Sequence, residues 1–141
     1  MRPAERHYER VKVSADTLGA AFRERRWSRG FGHQEAAAKI GVPVATYRRW
    51  EANQAVPTLK YLPSAIAFLG YDWRPAPHSF GESLRFRRMR LGWSIRELAR
   101  RAGVDWTTIR AWERGEQRPT KRLLAAVERA LAMAASTTVD S

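Results

Sequence analysis

Residues 95–113 read IRELARRAGVDWTTIRAWE and residues 33–51 read HQEAAAKIGVPVATYRRWE. In each stretch an alanine is followed by a glycine four residues on and then at once by a valine: Ala99, Gly103, Val104 and Ala37, Gly41, Val42. Two short helices that cross steeply need a small side chain where they touch. The turn between them needs a residue free to take positive φ, which glycine supplies. Beyond the turn, Ile109 and Trp112, like Tyr47 and Trp50, stand three residues apart and share one helical face. That face is expected to turn inward and hold the second helix against a core.

The two stretches belong to a longer internal repeat. Residues 17–69 match 79–131 without a gap, each residue paired with the one 62 positions on, as Gly41 with Gly103. Identical pairs include Gly19/Gly81, Arg26/Arg88, Glu35/Glu97, Ala37/Ala99, Thr46/Thr108, Arg48/Arg110, Trp50/Trp112, Glu51/Glu113 and Pro57/Pro119. Fixed periodicity of this kind marks repeated supersecondary units. Each repeat reads as four short helices with no sustained strand alternation. In the second, Phe80, Leu84 and Met89 mark the apolar side of a helix ending near Gly92, and Ser94 with Glu97 forms the pattern of a capping box. Asp105 caps the next helix, and Leu123, Leu124, Val127 and Leu131 carry the fourth. The first repeat follows the same course, with Asn53 where the second has Gly115. Prolines 75 and 77 are expected to stop its fourth helix. The expected architecture is all-α: an N-terminal arm at 1–16, a four-helix unit at 17–70, a Pro-containing linker at 71–78, a second unit at 79–133 and a flexible tail at 134–141.

Composition narrows the function classes. The chain has 141 residues, a formal net charge of +12 and no cysteine. Disulfide scaffolds, thiolate metal sites and cysteine nucleophiles are excluded together. The start, MRPAERHYERVKV, is charged throughout and has no apolar core of a leader, and no apolar run approaches the roughly 18 residues of a membrane span. A cytoplasmic, nucleoid-associated protein without membrane contact is expected. The three histidines, at 7, 33 and 78, lack metal-ligand spacing, and no Gly-rich phosphate loop is present. No catalytic residue, cofactor or metal is therefore assigned. The cations are 22 arginines against four lysines. A guanidinium grips a phosphate or the guanine edge with two parallel hydrogen bonds, which an ammonium cannot do. Residues 17–70 carry eight basic and three acidic side chains, and 79–132 carry 13 and six, net +5 and +7. Nucleic acid is the partner this balance favours.

On these residues the chain resembles the phage-repressor type of helix-turn-helix family, the Cro and Xre-like regulators, twice in tandem. The run RRMRLGWSIRELARRAGVDWTTIRAWERGEQRP, residues 87–119, carries the family pattern most closely. The first repeat departs from it at Gly32 and His33, where the family usually opens with Ser or Thr and Gln, and at Pro43, where no cap precedes the third helix.

The resemblance implies a bacterial or phage-type transcriptional regulator that reads double-stranded DNA. Its recognition helices, near 44–52 and 106–114, would lie in the major groove. The outward positions it assigns are Val44, Ala45, Arg48 and Arg49, and Trp106, Thr107, Arg110 and Ala111. Gln34, Arg96, Thr46 and Thr108 would approach phosphates or the groove edge, as would His33. Glu51 and Glu113 would pair with Arg26 and Arg88 as structural acids, not act as a catalytic pair. The competing reading is an antitoxin or adaptor-type module that uses one repeat to bind a protein partner or to form a homodimer.

Overall fold

Helices end where the sequence places residues that cannot continue them. The computed structural model of the protein describes residues 15–140, with side chains from 18 to 136. In the first half, α1 (Ala15–Ser28), α2 (His33–Ile40) and α3 (Val44–Glu51) are followed by a single 3-10 turn at Leu59–Tyr61 and by α4 (Leu62–Leu69). The second half contains α5 (Phe80–Arg90), α6 (Ile95–Ala102), α7 (Trp106–Glu113) and α8 (Lys121–Asp140). The fold is all-α, with no strand among the described residues. None of these helices is long and apolar enough to cross a membrane. The arm expected at 1–16 lies outside the described residues except for Ala15 and Asp16, which open α1.

The chain divides between Pro75 and Ala76 into two compact units. In the first, α3 packs against α1 and α2, and α4 closes over the same two helices. Its core holds Leu18, Phe22, Ala37, Ile40, Tyr47, Trp50 and Leu69. In the second, α7 packs against α5 and α6, and α8 lies against α6 around Leu84, Leu98, Ile109, Trp112, Val127 and Leu131. The turns match closely. Gly41 at φ +92° lets the Val42 N–H reach back to the Ala37 carbonyl at 3.0 Å, and Gly103 at φ +71° does the same for Val104 and Ala99, also at 3.0 Å. This six-residue closure ends a helix by satisfying a carbonyl that would otherwise be orphaned.

Four expectations are corrected by the packing. The first unit's fourth helix is stopped by Gly70 at φ +87°, ahead of the prolines. The segment read as a linker is partly core, because Tyr71 and Trp73 pack on the first unit, with Trp73 edge-on to Phe22 at 6.2 Å. Aromatic rings of that size gain more from burial than a free connection would gain from their exposure. Phe80, expected on the apolar side, is 42% exposed and meets the second core edge-on at Trp112, 6.2 Å between ring centroids. The last helix runs through the expected tail to Asp140, since ALAMAA is built from strong helix formers and contains no breaker.

One difference between the units has a single cause. Pro63 lacks the N–H that would bond the Leu59 carbonyl, and its ring collides with that carbonyl in a continuous helix. The chain therefore tightens into the 3-10 turn before α4. The second unit has Ala125 in that place, and α8 begins at Lys121 without interruption.

Candidate nucleic-acid interface

Each third helix is locked at its C-terminal end by a buried ion pair. Glu51 at the end of α3 receives Arg26 through Nε at 2.6 Å and Nη2 at 3.0 Å, while Nη1 of the same guanidinium donates to the Phe31 carbonyl at 3.2 Å. Glu113 at the end of α7 receives Arg88 at 2.6 and 2.9 Å, and Arg88 Nη1 donates to the Trp93 carbonyl at 2.7 Å. A planar five-donor fork is the group that can serve a carboxylate and a loop carbonyl together. Burial pushes the Glu51 carboxyl up, but the hydrogen bond and charge of Arg26, together with the neighbouring Tyr47 and His33, outweigh it and hold the group below its ordinary value. Arg26 is raised in turn, chiefly by its hydrogen bond to Glu51. The two glutamates are thus structural acids in separate units.

Each helix is also pinned by a close approach that sequence reading overlooked. A Cβ on Gly19 would lie 2.5 Å from the Glu51 carbonyl oxygen, and one on Gly81 would lie 2.6 Å from that of Glu113. Glycine in the body of a helix costs stability unless backbone must come this near. The paired glycines at the same register were the available signal.

The starts of the helices differ between units. Asp105 caps α7 by accepting the Thr107 N–H at 2.8 Å and the Thr107 hydroxyl at 2.6 Å, which lowers its carboxyl below the ordinary range. Pro43 precedes α3 with no side-chain cap. Ahead of α6, Ser94 accepts the Glu97 N–H at 3.0 Å, whereas Glu97 turns its carboxylate to Arg100 and Arg101, each at 2.6 Å. Ahead of α2 the opposite half of a capping box forms, with Glu35 accepting the Gly32 N–H at 2.8 Å.

Of the sequence candidates, Gln34, Ala45, Arg48, Arg49, Arg96, Thr107 and Arg110 are exposed. Thr46 and Thr108 are half-buried. Val44 is half-buried against the first core, so only part of it faces outward. Ala111 is corrected outright: it is 9% exposed, because its methyl stops short of the surface that Arg49 reaches in the first unit. The turn beyond α7 also returns over it, with the Glu116 N–H on its carbonyl at 2.9 Å. His33 is drawn to the ion pair, its Nε2 lying 3.5 Å from Glu51 Oε1.

Trp106 packs on the core of its own unit and carries two guanidiniums. Arg96 Cζ stands 4.5 Å from its ring centroid and Arg110 Cζ stands 6.0 Å away, one from α6 and one from the next turn of α7. The first unit has Gln34, Val44 and Arg48 in these places, and no ring or acid holds the side chain of Arg48 or Arg49 among the described residues. No cluster of three His, Asp or Glu side chains suited to a metal forms among the described residues either.

A helix-turn-helix family model matches the chain twice, over residues 20–74 and 84–134. No curated protein and no solved structure is detectably similar to the chain.

Proposed function

The chain belongs to the helix-turn-helix family in its Cro- and Xre-like form, carried twice in tandem, and we propose on that premise that it binds double-stranded DNA by sequence as a bacterial or phage-type transcriptional regulator. The family is one of DNA-binding regulators. The observation that carries the finer reading is that Arg48 and Arg110 stand exposed at one register of two equivalent helices, each locked from behind by an Arg–Glu pair. With α3 and α7 in the major groove, each of these arginines reaches the O6 and N7 of a guanine. Ala45 and the methyl of Thr107 face a thymine methyl. Gln34, Thr46, Arg96 and Thr108 set register on phosphates, which carry no sequence information themselves.

The two heads are not copies. Where the first unit has Val44, Ala45 and Arg49, the second has Trp106, Thr107 and Ala111. A single chain therefore prefers a site whose halves differ, in place of the palindrome read by a symmetric dimer. The test is selection of bound duplexes from a random pool at fixed salt, repeated with Arg48→Ala and Arg110→Ala. Each substitution relaxes preference at one position, in different halves of one site, at a cost of roughly 1 to 3 kcal/mol. Absence of any enriched sequence overturns this reading and favours the antitoxin or adaptor role. An effect of Arg110→Ala alone makes the first unit a partner-binding or dimerisation module.

A further inference from the structure

We infer that Trp106 is a positioning residue that pre-orders Arg96 and Arg110, and that it makes the second unit the more discriminating of the two heads. The inference rests on the DNA-binding reading above. A free arginine gives up rotamer freedom when it is fixed on a base. An aromatic face that already holds the guanidinium lowers that loss. Trp106 is suited to the task because it is half-buried against its own core and opens a helix whose first turn is fixed by Asp105. Its ring thus has a defined place, with Arg96 at 4.5 Å and Arg110 at 6.0 Å from the centroid.

The guanidiniums keep their donors while stacked. A π-face takes the flat side of the cation and leaves the N–H edge free for a phosphate or a guanine. Among the described residues neither arginine is consumed by a carboxylate: Glu97, the acid nearest to Arg96 along α6, is engaged by Arg100 and Arg101. In the first unit the equivalent triad is Gln34, Val44 and Arg48, which has neither the ring nor the second cation. Two heads with the same backbone thus differ in how far their reading side chains are ordered before DNA arrives.

The test compares the full-length protein with Trp106→Val, which installs the first unit's residue, and with Trp106→Phe, which keeps an aromatic face. Folding of each is checked by thermal unfolding. Without DNA, the Arg96 and Arg110 side-chain Nε–H signals in NMR are expected to be shifted upfield by the ring in the parent, to be largely retained in Trp106→Phe and to collapse to the random-coil position in Trp106→Val. With the duplex selected by the parent, Trp106→Val should lose roughly 5-fold in discrimination at the base pair relaxed by Arg110→Ala, the size of one exposed cation–π contact. Trp106→Phe should recover most of that loss, and affinity for unrelated duplex, to which Arg96 contributes through phosphate, should fall by a smaller factor than discrimination does in Trp106→Val. A folded Trp106→Val with undiminished discrimination, or parent spectra without ring shifts, overturns the inference and leaves Trp106 as core packing. A parent that discriminates among no duplexes overturns the DNA reading and the discrimination role with it. In that case the spectra alone still decide whether Trp106 orders the two arginines.

Discussion

Gly19, in the body of α1, and Gly81, in the first turn of α5, are kept at a cost in propensity because the end of the third helix crosses them at backbone contact. Substitution by alanine would ordinarily stabilise a helix by up to about 1 kcal/mol. Here it places a methyl 2.5 to 2.6 Å from a carbonyl oxygen that belongs to backbone and cannot swing away. Gly19→Ala and Gly81→Ala are therefore expected to destabilise their units by about 1 to 3 kcal/mol, the usual cost of overpacking, read as a lower denaturation midpoint. The neighbouring ion pair has its own signature. Glu51 is held below its ordinary value of 4.5, so the folded state binds that proton more weakly than the unfolded chain does. Its contribution is complete above the ordinary carboxylate range and is lost as pH falls through the folded-state value. Glu51→Gln leaves Arg26 buried without its counter-charge and should cost about 3 to 5 kcal/mol at neutral pH. The same variant should show a shallower acid limb between about pH 5 and pH 3 in a pH series of unfolding midpoints. An acid limb as steep as the parent's would show that other carboxyls govern it.

At the scale of the helices, the two units offer an internal control. Asp105 serves α7 through two side-chain hydrogen bonds, whereas the side chain of Pro43 offers α3 none. Asp105→Ala should cost about 1 kcal/mol, typical of a lost cap, with the loss confined to the second unit in residue-resolved hydrogen exchange. The helices were legible in the sequence because their boundaries rest on local chemistry. Gly41, Gly103, Ser94 and Asp105 act within a few residues of themselves, and the recurrence of the turn glycine at one place in two copies removed the ambiguity of reading one. The Arg26–Glu51 and Arg88–Glu113 pairs could be named only through the family resemblance, since their members stand 25 residues apart on different helices. What could not be read depends on distances across helices. The exposure of Ala111, the stack of Arg96 on Trp106 and the docking of Trp73 on Phe22 each depend on how far a side chain reaches from one element to another, which periodicity does not encode. His33 stood at a position the resemblance assigned to phosphate, yet a buried carboxylate 3.5 Å away takes it instead.

For the whole molecule, the consequence of the tandem is that two non-identical heads share one chain. Each unit has its own core, so severing the connection between Pro75 and Ala76 removes no core residue from either. It does abolish the effective concentration by which one bound head presents the other to its half-site. Specific cleavage there is expected to lower affinity for the selected duplex by roughly 10² to 10⁴-fold. The folded state of each unit and its preferred bases should be preserved, measured by titrating the cut and uncut protein on one duplex at one salt concentration. The salt dependence separates the contributions further. For uncut protein the slope of log affinity against log salt should equal about −0.9 for each phosphate neutralised by both heads together, and after cleavage it should split into two smaller slopes. Although the second unit carries the larger net charge, +7 against +5, the difference is small, so the two slopes should be of comparable size. If cutting leaves both affinity and slope unchanged, one head alone engages DNA. The +12 charge then serves chiefly non-specific attraction, and the spare unit is the surface on which to look for a protein partner.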